Sequence, residues 1–172
     1  MTQTEILKAR WMYALLLLIG LAWLAVIFLP SWLMANGHLF SAESLYRGLS
    51  AVCHQIPERS FRFQGFPLAV CSRCTGIYFG FIVGLALYPF FRRLSNQEAP
   101  RRFWLFSAAL PMLVDFGGDY IGLFSNTFFS RLATGLLVGA TAAFFLLPAW
   151  VAIVLPDSPK PSDHSFKENY SA

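Results

Sequence analysis

WMYALLLLIGLAWLAVIFLPSWLM, residues 11–34, decides the fold. It is 24 residues long and carries no charged side chain. A helix of about 20 apolar residues crosses the hydrocarbon core of a bilayer. Every backbone N–H and C=O in lipid must be paired inside the protein, and a helix does this within one segment. A cleavable secretory signal is the competing reading. Its apolar region would run to about 7–15 residues before a small-residue cleavage site. The run here is longer and ends without a convincing site, so it is expected to be a retained first span.

The rest of the chain is consistent with that start. Of 172 residues, 56% are hydrophobic and only 13% are charged, and Phe alone occurs 18 times. A soluble domain averages about 25% charged residues, so a membrane protein is indicated. The net charge of +4 is no nucleic-acid signal, because the basic residues sit at the ends of apolar runs.

Three further spans are expected, at 71–91, 103–124 and 131–155, giving a four-span membrane domain over 11–155. Residues 1–10 form a short polar N-terminus, and 156–172, rich in Pro, Ser and charge, read as a disordered tail. SAESLYRGLSAVCHQ, from Ser41, reads as a short amphipathic helix with Ser41 as N-cap, stopped by Pro57. FRFQGFPLAV after it reads as irregular, broken by Gly65 and Pro67. Gly76, Gly80 and Gly84 form a small-residue stripe in the second span, and Gly135 and Gly139 another in the fourth; such stripes let helices approach closely in lipid. The fold class is therefore all-α, a four-helix transmembrane bundle whose outer-face loop between spans 1 and 2 carries the short helix.

Basic residues set the orientation. With the N-terminus inside, eight lie on the inner face: Lys8, Arg10, Arg92, Arg93, Arg101, Arg102, Lys160 and Lys167. Five lie on the outer face: Arg47, Arg59, Arg62, Arg73 and Arg131. The balance favours N-in, C-in in a prokaryotic inner membrane.

That topology brings Cys53, His54, Cys71, Arg73, Cys74, Asn126 and Arg131 to one face. Asp115 lies about 18 Å along the third span, just past its middle toward that face, and Asp119 one turn further. All three cysteines fall within Cys53–Cys74. Cys71 and Cys74 open a helix, where the positive helix end and Arg73 favour thiolates. Thiolates invite a metal or an oxidant. Cys53, Cys71, Cys74 and a histidine make a Cys₃His set, common for structural zinc. His54 is the first choice of histidine, but it neighbours Cys53, and both can bind one ion only where the helix has ended. His38 or Asp115 is the alternative fourth ligand. The competing reading of each cysteine alone is a small apolar residue in lipid.

An aspartate inside a span is a functional candidate by default, here Asp115 in a catalytic role with Arg73 and Arg131; the plain alternative is a buried salt bridge to Arg73 or Arg131. Arg59, Arg73 and Arg131 make a cationic mouth suited to an anionic lipid or small anionic substrate, whereas Arg62 reads as an interface anchor. His164, in the tail, has no role.

The motifs CHQ-x-P-x-RSF (Cys53 to Phe61), VCSRCTGIY-x-G (Val70 to Gly80), P-x-x-x-D-x-G (Pro111 to Gly117) and SNTFFSRLATG (Ser125 to Gly135) together resemble a family of uncharacterised prokaryotic membrane proteins. The resemblance runs from about Ser44 to Leu147. It implies that Cys53, His54, Gln55, Arg59, Cys71, Arg73, Cys74, Asp115, Asn126, Arg131 and Thr134 belong to the family pattern, and it implies no activity. The chain departs from the pattern at Asp119, where a neutral polar residue is expected. Three readings follow. The first is a metal centre, zinc foremost, beside an intramembrane Asp, serving a metal-dependent enzyme on an anionic substrate. The second is a thiol–disulfide oxidoreductase using the C-x-x-C and Cys53. The third is a non-catalytic membrane assembly or transport component.

Overall fold

The computed structural model describes residues 3–154. The tail expected from Pro156, with Lys160, His164 and Lys167, lies outside the described residues.

The protein is an all-α membrane protein. Four long helices, α1 (Gln3–Ala35), α3 (Ser72–Phe91), α4 (Phe103–Tyr120) and α5 (Phe128–Val154), form the body. A short helix, α2 (Leu39–Leu49), and a hairpin of β1 (Arg62–Phe63) and β2 (Phe66–Pro67) fill the connection between α1 and α3. Three helices, α1, α3 and α5, are long and apolar enough to cross a membrane. The 20 residues of α3 rise about 30 Å, the thickness of the hydrocarbon core. Helix α4 has 18 residues and carries Asp115 and Asp119. Large apolar side chains such as Phe90, Phe106 and Leu113 stand exposed along the helices, as a lipid-facing surface requires.

The bundle is built on α3 and α5. Both glycine stripes meet there. A Cβ added at Gly76, Gly80 or Gly84 would strike the α5 backbone carbonyls of Leu132, Leu136 and Ala140; one at Gly135 or Gly139 would strike those of Arg73 and Ile77. Only glycine permits backbones this close, and the close approach substitutes for the hydrophobic drive that lipid removes. Helix α4 packs on α5, and α1 packs on α3 and α2. Tyr13 of α1 donates from its hydroxyl to the Leu85 carbonyl at 3.1 Å. Below it, Ala9, Leu85, Tyr88, Ala143, Leu147 and Val151 make one apolar core.

The connection between α1 and α3 differs from its sequence reading in two respects. Helix α2 begins at Leu39, with His38 rather than Ser41 at its N-cap, and ends at Leu49. Cys53 and His54 therefore lie beyond the helix, which removes the 100° splay that adjacency would impose. The following stretch is a hairpin because Gln64 and Gly65 both take positive φ, 50° and 88°. Two such residues match the right-handed twist of paired strands. The Pro67 carbonyl fixes the whole connection: Ser31 of α1 donates to it at 2.7 Å and Tyr46 of α2 donates to the same oxygen.

Candidate functional site

Two clusters occupy one end of the bundle, and the turn Cys71–Cys74 contributes to both. Successive helical side chains are about 100° apart, so Arg73 turns away from the cysteines that flank it. The thiols meet α1. Arg73 reaches α4.

The thiol cluster consists of Cys53, Cys71 and Cys74, with the three Sγ atoms within 4.8 Å of one another. All three are free thiols, Cys53 buried and the other two half-buried. Cys71 is the residue before α3 starts, in extended conformation, and its N–H donates to Cys53 Sγ at 3.2 Å. The walls are apolar: Ile27 and Val70 are buried, with Trp23, Leu24 and Tyr78 packed against them. The Trp23 and Tyr78 rings meet edge-on, centroids 5.8 Å apart. Four-coordinate zinc with bonds of ~2.3 Å holds its sulfurs about 3.8 Å apart, so a small contraction of this triangle suits a thiophilic ion. Three sulfurs here can hold a metal.

His54 stands exposed beside Cys53 and is outside the cluster, as are the exposed His38 and the buried Asp115. Gln55, with φ 52°, turns the chain after His54, and its amide donates to the Tyr46 carbonyl at 2.8 Å. This bond ties the Cys53 segment back to α2.

The second cluster is polar. Arg73 Nη2 pairs with Asp115 Oδ2 at 2.6 Å, and the Arg73 guanidinium lies over the Phe116 ring, 5.5 Å from its centroid. Of the two partners named for Asp115 by the sequence, Arg73 makes the bridge. Asn126 donates from Nδ2 to both the carbonyl and Oδ2 of Asp115, at 3.3 and 3.4 Å, and from its backbone N–H to Asp119 Oδ1 at 3.1 Å. Arg59 approaches Asp119 Oδ2 at 3.7 Å. Arg131 is buried.

Local chain features set these positions. Helix α4 ends in a Schellman turn: the N–H of Leu123 bonds the Gly118 carbonyl and that of Gly122 the Asp119 carbonyl, with Gly122 at φ 73°. That turn sends Asn126 back under the two aspartates. Helix α5 starts with a reciprocal cap, Ser130 N–H to Thr127 Oγ1 at 3.1 Å and Thr127 N–H to Ser130 Oγ at 3.0 Å, which puts Arg131 in the first turn. Thr134 bonds back to carbonyls of its own helix, that of Ser130 at 2.8 Å and that of Arg131 at 3.2 Å. Arg62 caps its hairpin turn at Gly65, exposed. Sequence reasoning missed Trp23 and Tyr78 as thiol neighbours, because nothing in an apolar run marks which face meets α3.

Residues 53–145 match the family described as predicted membrane protein, DUF2085. The chain belongs to the DUF2085 family. The matched segment opens at Cys53 and contains all three thiols and the whole polar cluster. An uncharacterised protein of Methanocaldococcus jannaschii is 38% identical over 120 residues, covering 70% of this chain and 77% of the relative. Another, from Methanothermobacter thermautotrophicus, is 35% identical over 88 residues, 51% of this chain and 78% of the relative. No solved structure matches this DUF2085 member.

Proposed function

We propose that this membrane protein carries a thiophilic metal ion, zinc foremost, on the thiolates of Cys53, Cys71 and Cys74, at the membrane face away from the cytoplasm. The observation that carries the reading is the convergence of the chain's three cysteines to within 4.8 Å from two separate segments. The Cys71 N–H aimed at Cys53 Sγ stabilises a thiolate, as metal ligation requires. Three protein ligands leave the fourth position to water or substrate, the arrangement of a catalytic zinc site. His54 in that position would make a closed structural site instead. Elemental analysis of purified protein tests the centre. One equivalent of a transition metal is expected, falling to background in Cys71→Ser. Less than one equivalent, unchanged by that substitution, ends the reading. His54→Ala separates the two forms: metal is retained with an open fourth position and lost from a Cys₃His cage.

A thiol oxidoreductase is the second reading, favoured by the sulfurs of Cys71 and Cys74, three residues apart in sequence and within 4.8 Å of each other. Cys71 and Cys74 would form one S–S bond, releasing two electrons and two protons to a quinone-class acceptor; Cys53 would act as the resolving thiol by attacking a mixed disulfide between Cys71 and a substrate thiol, releasing that thiol. Alkylation mass shifts before and after reductant distinguish it. Fully reduced thiols in aerated cells would count against it.

A further inference from the structure

The polar cluster contains more positive charge than its own carboxylates neutralise. It holds three guanidinium groups, Arg59, Arg73 and Arg131, against two carboxylates, Asp115 and Asp119, an excess of one positive charge. Asp115 is engaged by Arg73 and Asp119 by Arg59. Arg131 is left over. It is only 9% exposed, and among the described residues it makes no ion pair. A buried charge is costly unless something pairs with it. Two further groups in the same cluster are buried and unsatisfied among the described residues: Arg73 Nε, a donor, and Asn126 Oδ1, an acceptor. A ligand completing the cluster therefore brings one negative charge, oxygen acceptors for two guanidiniums and a donor for Asn126.

We propose that Arg131, Arg73 and Arg59 bind the phosphate oxyanion of a singly charged ligand, the phosphodiester of a hydroxylated lipid headgroup. A phosphodiester carries one charge, which matches the excess. Its free oxygens suit the planar fork of arginine. A headgroup hydroxyl supplies the donor that Asn126 lacks. The aromatic rings of Phe116, Tyr120, Phe124 and Phe128 are exposed on the elements that carry the cluster, which suits an amphiphile resident in the membrane. The free dihydrogen phosphate monoanion presents the same oxygens and a P–OH donor, and is the other source of this chemistry. The site is separate from the thiols, and its occupancy does not depend on metal.

The test uses the full chain purified in mild detergent, the wild type beside Arg131→Gln, Arg59→Gln and Cys71→Ser. Phosphatidylglycerol and phosphatidylcholine are added in turn and retention is read by native mass spectrometry. Inorganic phosphate is titrated separately and followed by phosphorus NMR line broadening. Wild type is expected to prefer phosphatidylglycerol. Arg131→Gln should bind it about tenfold more weakly, the worth of one charge-assisted hydrogen bond. Arg59, about half exposed, carries the same test at a more exposed position, and its substitution should weaken retention in the same direction. Cys71→Ser should lose metal and keep the lipid, which separates this proposal from the metal reading. Equal retention of the two lipids, with phosphate broadening that vanishes in Arg131→Gln, supports the site with free phosphate as its source. Retention by both arginine variants equal to wild type overturns it, as does a wild type that distinguishes neither lipid and leaves the phosphate line sharp.

Discussion

Arg73 lies between two cysteines in sequence and faces the other cluster in space. Its salt bridge to Asp115 is nearly buried on both sides, with side chains 18% and 8% exposed. Removing one partner of such a pair leaves an uncompensated charge. Asp115→Asn is therefore expected to cost about 3 kcal/mol of stability, read by denaturant unfolding in detergent. Its metal content should stay at the wild-type level, because the carboxylate is outside the thiol cluster. A parallel loss of metal would mean that the two clusters are one site. The C-x-x-C was legible in the sequence, and so was an arginine partner for Asp115. The choice of Arg73 over Arg131 was not, because it depends on how far α4 slides along its neighbours, and no local pattern encodes that.

At the scale of elements, the glycine contacts between α3 and α5 make the sharpest prediction. Gly80→Ala would push a methyl group into the Leu136 backbone, where no flexible side chain can yield. A cost of about 1–3 kcal/mol is expected from overpacking. Gly117→Ala, on α4, meets nothing within 4 Å, and should be neutral or stabilise by up to about 1 kcal/mol through helix propensity. Thermal unfolding of the two variants side by side checks the contrast. Both glycine stripes were legible because spacing by four survives in any helix. The β1–β2 hairpin was not, since Gln64–Gly65 is a weak turn signal beside Asn–Gly. The connection has a test of its own. Tyr46→Phe deletes one donor to the Pro67 carbonyl and should cost about 1 kcal/mol. Because that carbonyl braces the segment leading to Cys71, metal should also dissociate faster, measured by chelator competition.

For the whole molecule, the apolar runs specified an all-α bundle because lipid leaves the backbone almost no other choice. The thiol end and the arginine-rich segment 92–102 sit at opposite ends of α3, about 30 Å apart. An alkaline phosphatase inserted after Asn126 should be active outside the cytoplasm, and one inserted after Asn96 inactive. The reverse pattern would invert the orientation and put the thiols in reducing surroundings. The joint between α3 and α5 has one more implication. A Cβ at Gly135 would strike the Arg73 carbonyl, so the glycine seam between α3 and α5 reaches the residues that carry two like charges, Arg73 and Arg131. The close approach that glycine permits and the buried charge of Arg131 share one address. Amide exchange should begin there, at the first turn of α5, and slow when an anion settles between the two arginines as a keystone.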